Sequence, residues 1–276
     1  MDTIIKFVAI VLSGIIVIGG GFMKRFIIGV AGLCMFMCIT ANVFAGGAKA
    51  KVIKAIPTTI SVSGVYTLGA NLISASSTTD AITVNADNVI IDMAGYGIKG
   101  TGIGEAHGII VNGKGVEIRN GSVSGFYNGI IGNNGGVRII NVKVPSIYQY
   151  AIYINGDGNR IKDCTVTGGN ATGIVIQSNG NIISGNTVYG EAYSSSGIYS
   201  GGANYVSSNT VFSNTGSGII ANAGSAVLGN TVHDNSVKGI NNGAGNALIN
   251  GNAVYGNAGG NMATGAGTVT GINLAP

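Results

Sequence analysis

The segment Asn181-Ile182-Ile183-Ser184-Gly185-Asn186-Thr187-Val188 decides the fold. Two short β-branched stretches flank a Gly-Asn bend, and the same order returns on both sides of it. One period earlier stands Arg160-Ile161-Lys162-Asp163-Cys164-Thr165-Val166, and one period later Tyr205-Val206-Ser207-Ser208-Asn209-Thr210-Val211. Followed outward, the pattern resolves into three apolar ladders. The first is Ile109, Ile130, Ile152, Ile174, Ile198, Ile219, Ile240. The second is Ile118, Ile139, Ile161, Ile183, Val206, Val227, Ile249, and the third is Val123, Val144, Val166, Val188, Val211, Val232, Val254. Steps within each ladder are 21 to 24 residues.

A repeat of constant direction sets like on like, and a single repeat cannot bury its own apolar face, so stacking neighbours must do so. β-Branched side chains suit that packing. The expectation is an all-β, right-handed parallel β-helix solenoid of roughly 22-residue coils, with three short strands per coil. At about 4.8 Å per strand step, eight or nine coils span roughly 40 Å. An up-and-down barrel would need alternating strand sense and tight hairpins, which this period does not supply. Composition agrees: Gly is 49 of 276 residues, only 9% are charged and 46% are apolar, so tight turns and amide side chains replace charge at the surface. No G-X-Y period accompanies the glycines, which excludes collagen.

A polar ladder runs beside the third. Asn186, Asn209, Asn230 and Asn252 each precede its Val by two residues, where stacked amides satisfy turn backbone groups, and Cys164 takes that place one coil earlier. One residue after the same Val stand Tyr189, Phe212, His233 and Tyr255, an expected aromatic column. It reads either as solenoid-stabilising stacking or as a platform for sugar rings. Tyr148, Tyr150, Tyr153, Tyr193 and Tyr199 gather around the first-ladder strand and the turn before it.

Gly115-Val116-Glu117-Ile118-Arg119-Asn120-Gly121-Ser122-Val123 and the opening segment resemble the β-helix repeats of the pectate-lyase-like superfamily, repeats shared by the nitrous-oxide-reductase maturation proteins. The resemblance covers about Ile82 to Asn257 and implies the fold. Function follows less closely, because this fold carries lyases, hydrolases, binding proteins and adhesins. The resemblance also implies N-terminal cap strands around Thr59 to Ile73.

The domain boundaries expected are an extra apolar segment or mis-assigned start over 1–22, a signal peptide over 23–45, cap strands over 46–79, coils over 80–258 and an end segment over 259–276. Met23-Lys24-Arg25 opens a basic stretch, Phe26 to Thr40 is apolar, and Val43-Phe44-Ala45 supplies a cleavage site after Ala45. A membrane hairpin is the rival reading of the first two segments. Export to the periplasm or beyond is expected, with no stable membrane anchor after cleavage. Cys34 and Cys38 lie in that leader, so Cys164 would remain alone, without a disulfide or a Cys-based zinc site. The formal charge is +4, and subtracting Lys6, Lys24 and Arg25 against Asp2 leaves about +2, which asks for no nucleic-acid partner. The Gly-rich end from Gly259 to Pro276 either closes the solenoid irregularly or is covered by another chain, an oligomer contact.

Catalytic signals are sparse. The Asp cluster and Gly-His-Gly of pectin hydrolases are missing as a set, and Arg160-Ile161-Lys162 matches only their Arg-x-Lys motif. Glu105 and Glu191 sit in the two longer loops, four coils apart, about 19 Å. That is too far for a glycosidase pair at roughly 5 to 9.5 Å. His107 and His233 are also many coils apart, so no cofactor and no metal is predicted.

Cations, by contrast, cluster. Glu117, Arg138 and Arg160 occupy one stacked position, and Arg119 and Lys162 flank them with Ile140 between, while Lys143 follows nearby. All but Lys143 alternate with the inward second ladder and are expected to face solvent. Like charges one strand apart repel, and an anion relieves them. The expected ligand residues are Arg119, Arg138, Arg160 and Lys162, the expected partner is an acidic polysaccharide, and Arg160 or Lys162 would be the base if the chain cleaves it. The alternative is a non-catalytic structural or adhesive solenoid of the cell envelope, with these charges a solvated face.

Overall fold

The computed structural model describes residues 49–276. The leader readings, Cys34 and Cys38 included, fall outside the described residues. Among those residues no helix is long and apolar enough to cross a membrane.

The chain winds as a parallel solenoid. The first-ladder strands form one 10-stranded sheet, and the other strands form an 18-stranded sheet wrapped around the remaining sides. The ladders pair as the spacing predicts: Ile130 stands opposite Ile109 and Ile152, and Ile161 opposite Ile139 and Ile183. Val188 likewise stands opposite Val166 and Val211. Every residue of the three ladders is fully buried. Stacking extends beyond residues 80–258. Thr58–Ile60, Gly64–Leu68 and Leu72–Ile73 already form a coil in register with the next one, and Lys51–Ile53 pairs above Gly64–Leu68. At the far end Met262–Thr264 and Val269–Thr270 continue the sheets, so Gly259 to Pro276 is a further coil, with Val269, Ile272 and Leu274 exposed on it.

The coils turn where the backbone goes left-handed. Two residues after each second-ladder side chain stand Asn120, Asn141, Asp163, Gly185, Ser208, Gly229 and Gly251, all at φ between 53° and 68°. Gly and short polar residues tolerate that conformation best. The residue after each bend points inward, and so does its counterpart at the other two corners. In the early coils these corner positions are apolar: Val116 and Val137 at one corner, Val142 at the second, Phe126 and Ile147 at the third. Later they become asparagine. Asn186, Asn209, Asn230 and Asn252 pass amide bonds of 2.9–3.0 Å from coil to coil, ending on Asn273. Two more buried ladders run at the other corners, Asn159–Asn181–Asn204 and Asn214–Asn235–Asn257. Each side-chain oxygen also accepts the backbone N–H of the preceding rung, so turn donors are satisfied without water.

Candidate functional site

The cationic residues lie on the second-ladder face of three consecutive coils. Strands Glu117–Ser124, Arg138–Pro145 and Arg160–Lys162 place Glu117, Arg138 and Arg160 in one row, and Arg119, Ile140 and Lys162 in the next. The spacing therefore brings all four expected ligand residues onto one face. It misplaces Glu117, which is buried at 7% exposure instead of facing solvent. Its carboxylate is folded down between two guanidinium groups, accepting from Arg119 Nη1 at 2.7 Å and from Arg138 Nε at 2.9 Å.

A residue that the spacing missed completes this network. Asp92 stands opposite Arg119 one coil earlier and accepts from its Nε at 2.9 Å. Burial raises the Asp92 carboxyl, but the Ala94 N–H, Arg119 and Asn120 outweigh it and hold the group below its usual range. The same bond to Asp92, against some desolvation, holds the Arg119 guanidinium above its usual value. Arg119 is thus fixed between two carboxylates, and Arg138 shares one of them.

Arg160 differs. Among the described residues it makes no ion pair, although Arg138 lies in register beside it. Lys162 is paired, its ammonium 3.2 Å from the exposed Asp163 carboxylate. The two arginines border a shallow depression of ≈ 320 Å³ lined also by Gly136, Gly158, Gly180, Asn159 and Ile182. Gly136, Gly158 and Gly180 stack at a left-handed corner, with φ of 74°, 68° and 67°, and add no side chains to its lining. The depression is an open cationic notch, suited to an anion that needs a flat approach.

The other candidates separate. Glu105 is exposed in its loop, whereas Glu191 is 1% exposed at an inward corner. Burial pushes the Glu191 carboxyl up to about 8, and neither oxygen has a hydrogen-bond partner; only the nearby Gly169 N–H opposes the shift. Cys164 is buried in the asparagine ladder, its thiol pushed up to about 12 by burial. His107 meets the Asn128 amide at 3.3 Å and Tyr127 at 6.0 Å between ring centres. Tyr127 stacks on Tyr148 and Tyr150 on Tyr153, while Tyr193 projects into solvent. Tyr189, Phe212, His233 and Tyr255 do form a column, with ring centres 4.8–5.1 Å apart and planes within 6°. Their faces are spent on one another, which favours the stabilising reading over the sugar platform. No group of three or more His, Cys, Asp or Glu residues able to hold a metal stands together among the described residues.

The model of the right handed beta helix region matches residues 128–274, just over half of the chain. No curated protein matches by sequence. Among solved structures, the periplasmic alginate epimerase AlgG is 14% identical, with 75% of this chain aligned to 67% of that one at a TM-score of 0.52. The Dettilon tailspike protein gp208 is also 14% identical, over 80% of this chain and 60% of that one, with a TM-score of 0.48. Pectate lyase Pel9A is 12% identical, over 82% and 69%, with a TM-score of 0.46. This chain therefore spans about 60% of the tailspike's length. At such identities the likeness is one of fold.

Proposed function

We infer that this chain, which belongs to the right-handed β-helix family, binds an acidic polysaccharide along its second-ladder face. One observation carries the reading. Arg138 and Arg160 are adjacent rungs over an open notch, yet Glu117, the carboxylate paired with Arg138, is already shared with Arg119, and Arg160 makes no ion pair among the described residues. Two guanidinium groups one strand step apart repel, and a carboxylate or sulfate between them removes that cost and gains charge-assisted hydrogen bonds. The roles of the four expected residues then divide. Arg160 is the principal anchor and Arg138 the second. Arg119 holds Glu117 in place, and Lys162 borders the site.

The fold shared with a periplasmic alginate epimerase fits this reading, and so does the leader-like segment over 23–45, which would bring the chain to glycans outside the cytoplasm. A guanidinium keeps its proton in proteins, so Arg160 serves as a clamp; Lys162, the other candidate base should the bound chain be cleaved, would first have to give up its own proton and its pairing with Asp163.

The test is binding of polygalacturonate and alginate to the wild type and to Arg138→Ala/Arg160→Ala, at low and moderate salt. Affinity should fall at least tenfold in the double variant and weaken as salt rises. Unsaturated ends appearing in the same mixtures would add cleavage to binding. Equal binding by both proteins, or no binding of any acidic glycan, would return the chain to the structural or adhesive reading.

A further inference from the structure

The row that carries Glu117, Arg138 and Arg160, with Ile90 before them, changes character beyond Arg160 without leaving the sheet. Its next rungs are Ile182 and then Tyr205, opposite Arg160 and Ile182 in strand register. Ala226, Leu248 and Val269 continue it. None of the second-ladder strands beyond Arg160–Lys162 carries a charged residue. Beside Ile182 and Tyr205 the parallel row holds Ser184, half-buried, and Ser207, buried. Tyr205 is 43% exposed, so one side of this apolar strip is open, and Ile182 already lines the arginine notch. Arg160 to Tyr205 is two strand steps, about 10 Å along the axis.

Resting on the acidic-polysaccharide reading, we propose that the face takes a mixed glycan: an acidic sugar seats between Arg138 and Arg160, and an uncharged sugar that follows it along the rod axis seats over Ile182 and Tyr205. A uronate placed over Ile182 or Tyr205 would lose water with no cation to replace it, which is costly. An uncharged pyranose has no such cost. Its ring C–H face covers the tyrosine ring and the isoleucine, burying apolar area on both sides, and its hydroxyl groups reach the half-buried Ser184. The charge pattern of the row therefore selects against a homopolymer of uronates and for a chain in which an uncharged sugar follows an acidic one.

Calorimetric titration with two hexasaccharides of equal length tests this: hexagalacturonate, acidic at every residue, and a hyaluronan hexasaccharide, in which glucuronate alternates with an uncharged N-acetylhexosamine. The alternating probe should bind at least tenfold more tightly at moderate salt. Tyr205→Ala should remove about tenfold of that affinity while leaving hexagalacturonate within twofold. Tyr205→Arg should reverse the preference. Tyr205 is surface-exposed, and unchanged melting curves would verify that both variants fold. Hexagalacturonate binding as tightly as the alternating probe, or a Tyr205→Ala variant without effect on it, overturns the mixed-glycan proposal while acidic-glycan binding stands. Failure of both probes to bind, or binding indifferent to Arg138→Ala/Arg160→Ala, overturns both.

Discussion

Replacing Glu191 by glutamine should make the solenoid more stable, by an amount set by pH. Glu191 sits two residues past the column residue Tyr189, at the corner that Asn214, Asn235 and Asn257 fill in later coils. Its backbone N–H joins that ladder by donating to Asn214 Oδ1 at 3.2 Å. Its side chain reaches into the space above Gly169, where an added Cβ would come 2.3 Å from Oε2. The carboxyl is held at about 8 against an ordinary 4.5. Desolvation is what raises it, and only the Gly169 N–H acts against that. Below pH 4.5 both folded and unfolded chains carry the proton, and stability is undiminished. Between 4.5 and about 8 the unfolded chain releases it while the folded one keeps it, so stability falls by about 1.4 kcal/mol per pH unit. Above that window the loss levels off at about 5 kcal/mol. Glutamine has the same shape and no ionisation, so Glu191→Gln should match the wild type near pH 4 and exceed it by about 3 kcal/mol at pH 7 and about 5 kcal/mol at pH 9. Denaturant unfolding of both proteins across that range measures the gap. Because a solenoid opens locally, hydrogen exchange of the Thr187–Tyr189 and Thr210–Phe212 amides gives the sharper readout. A gap that does not change between pH 5 and pH 9 would refute the reasoning, since it would mean that the carboxyl ionises in the folded chain as it does in water.

Ile183→Asp places a carboxyl among fully buried rungs, between Ile161 and Val206, and should cost at least about 3 kcal/mol; a melt like that of the wild type would remove the ladder model. Asn209→Ala strips one rung of an amide ladder: the Asn186 N–H loses its acceptor, while Asn186 Nδ2 keeps only the Ile161 carbonyl and Asn230 Oδ1 only the residue-209 backbone N–H. One orphaned donor and two weakened groups should together lower stability by about 3 kcal/mol, seen as a drop in the denaturant midpoint; a change under about 1 kcal/mol would show that the ladder amides are replaced by water.

The solenoid is legible in sequence because its rule is local and constant. An inward β-branched residue, a left-handed Gly, Asn, Asp or Ser two places on, and an inward corner residue after it recur coil by coil, as in Ile161-Lys162-Asp163-Cys164 and Val206-Ser207-Ser208-Asn209. The charge network is less legible, and the reason is a change of step. From Ile118 forward the rungs are 21 to 23 residues apart, but Ile91 stands opposite Ile118 across 27, because the loop Gly100 to His107 lengthens that coil. Counting back one regular period from Arg119 therefore misses Asp92, and with it the carboxylate that turns Arg119 from a free ligand group into a clamp on Glu117. Glu117 itself alternates correctly with Ile118, yet alternation fixes only the direction of Cβ. The two guanidinium groups beside it draw the carboxylate down and cover it, a result of pairing across three coils that no single strand encodes. Glu191 shows the opposite case: its place two residues after Tyr189 matches the asparagines at the same corner in later coils, but the extra residues up to Ser196 make it read as part of a loop. The chemistry of the face thus depends on which cations find an internal partner: Arg119 and Arg138 share Glu117, and Arg160, one rung further on, makes no ion pair among the described residues.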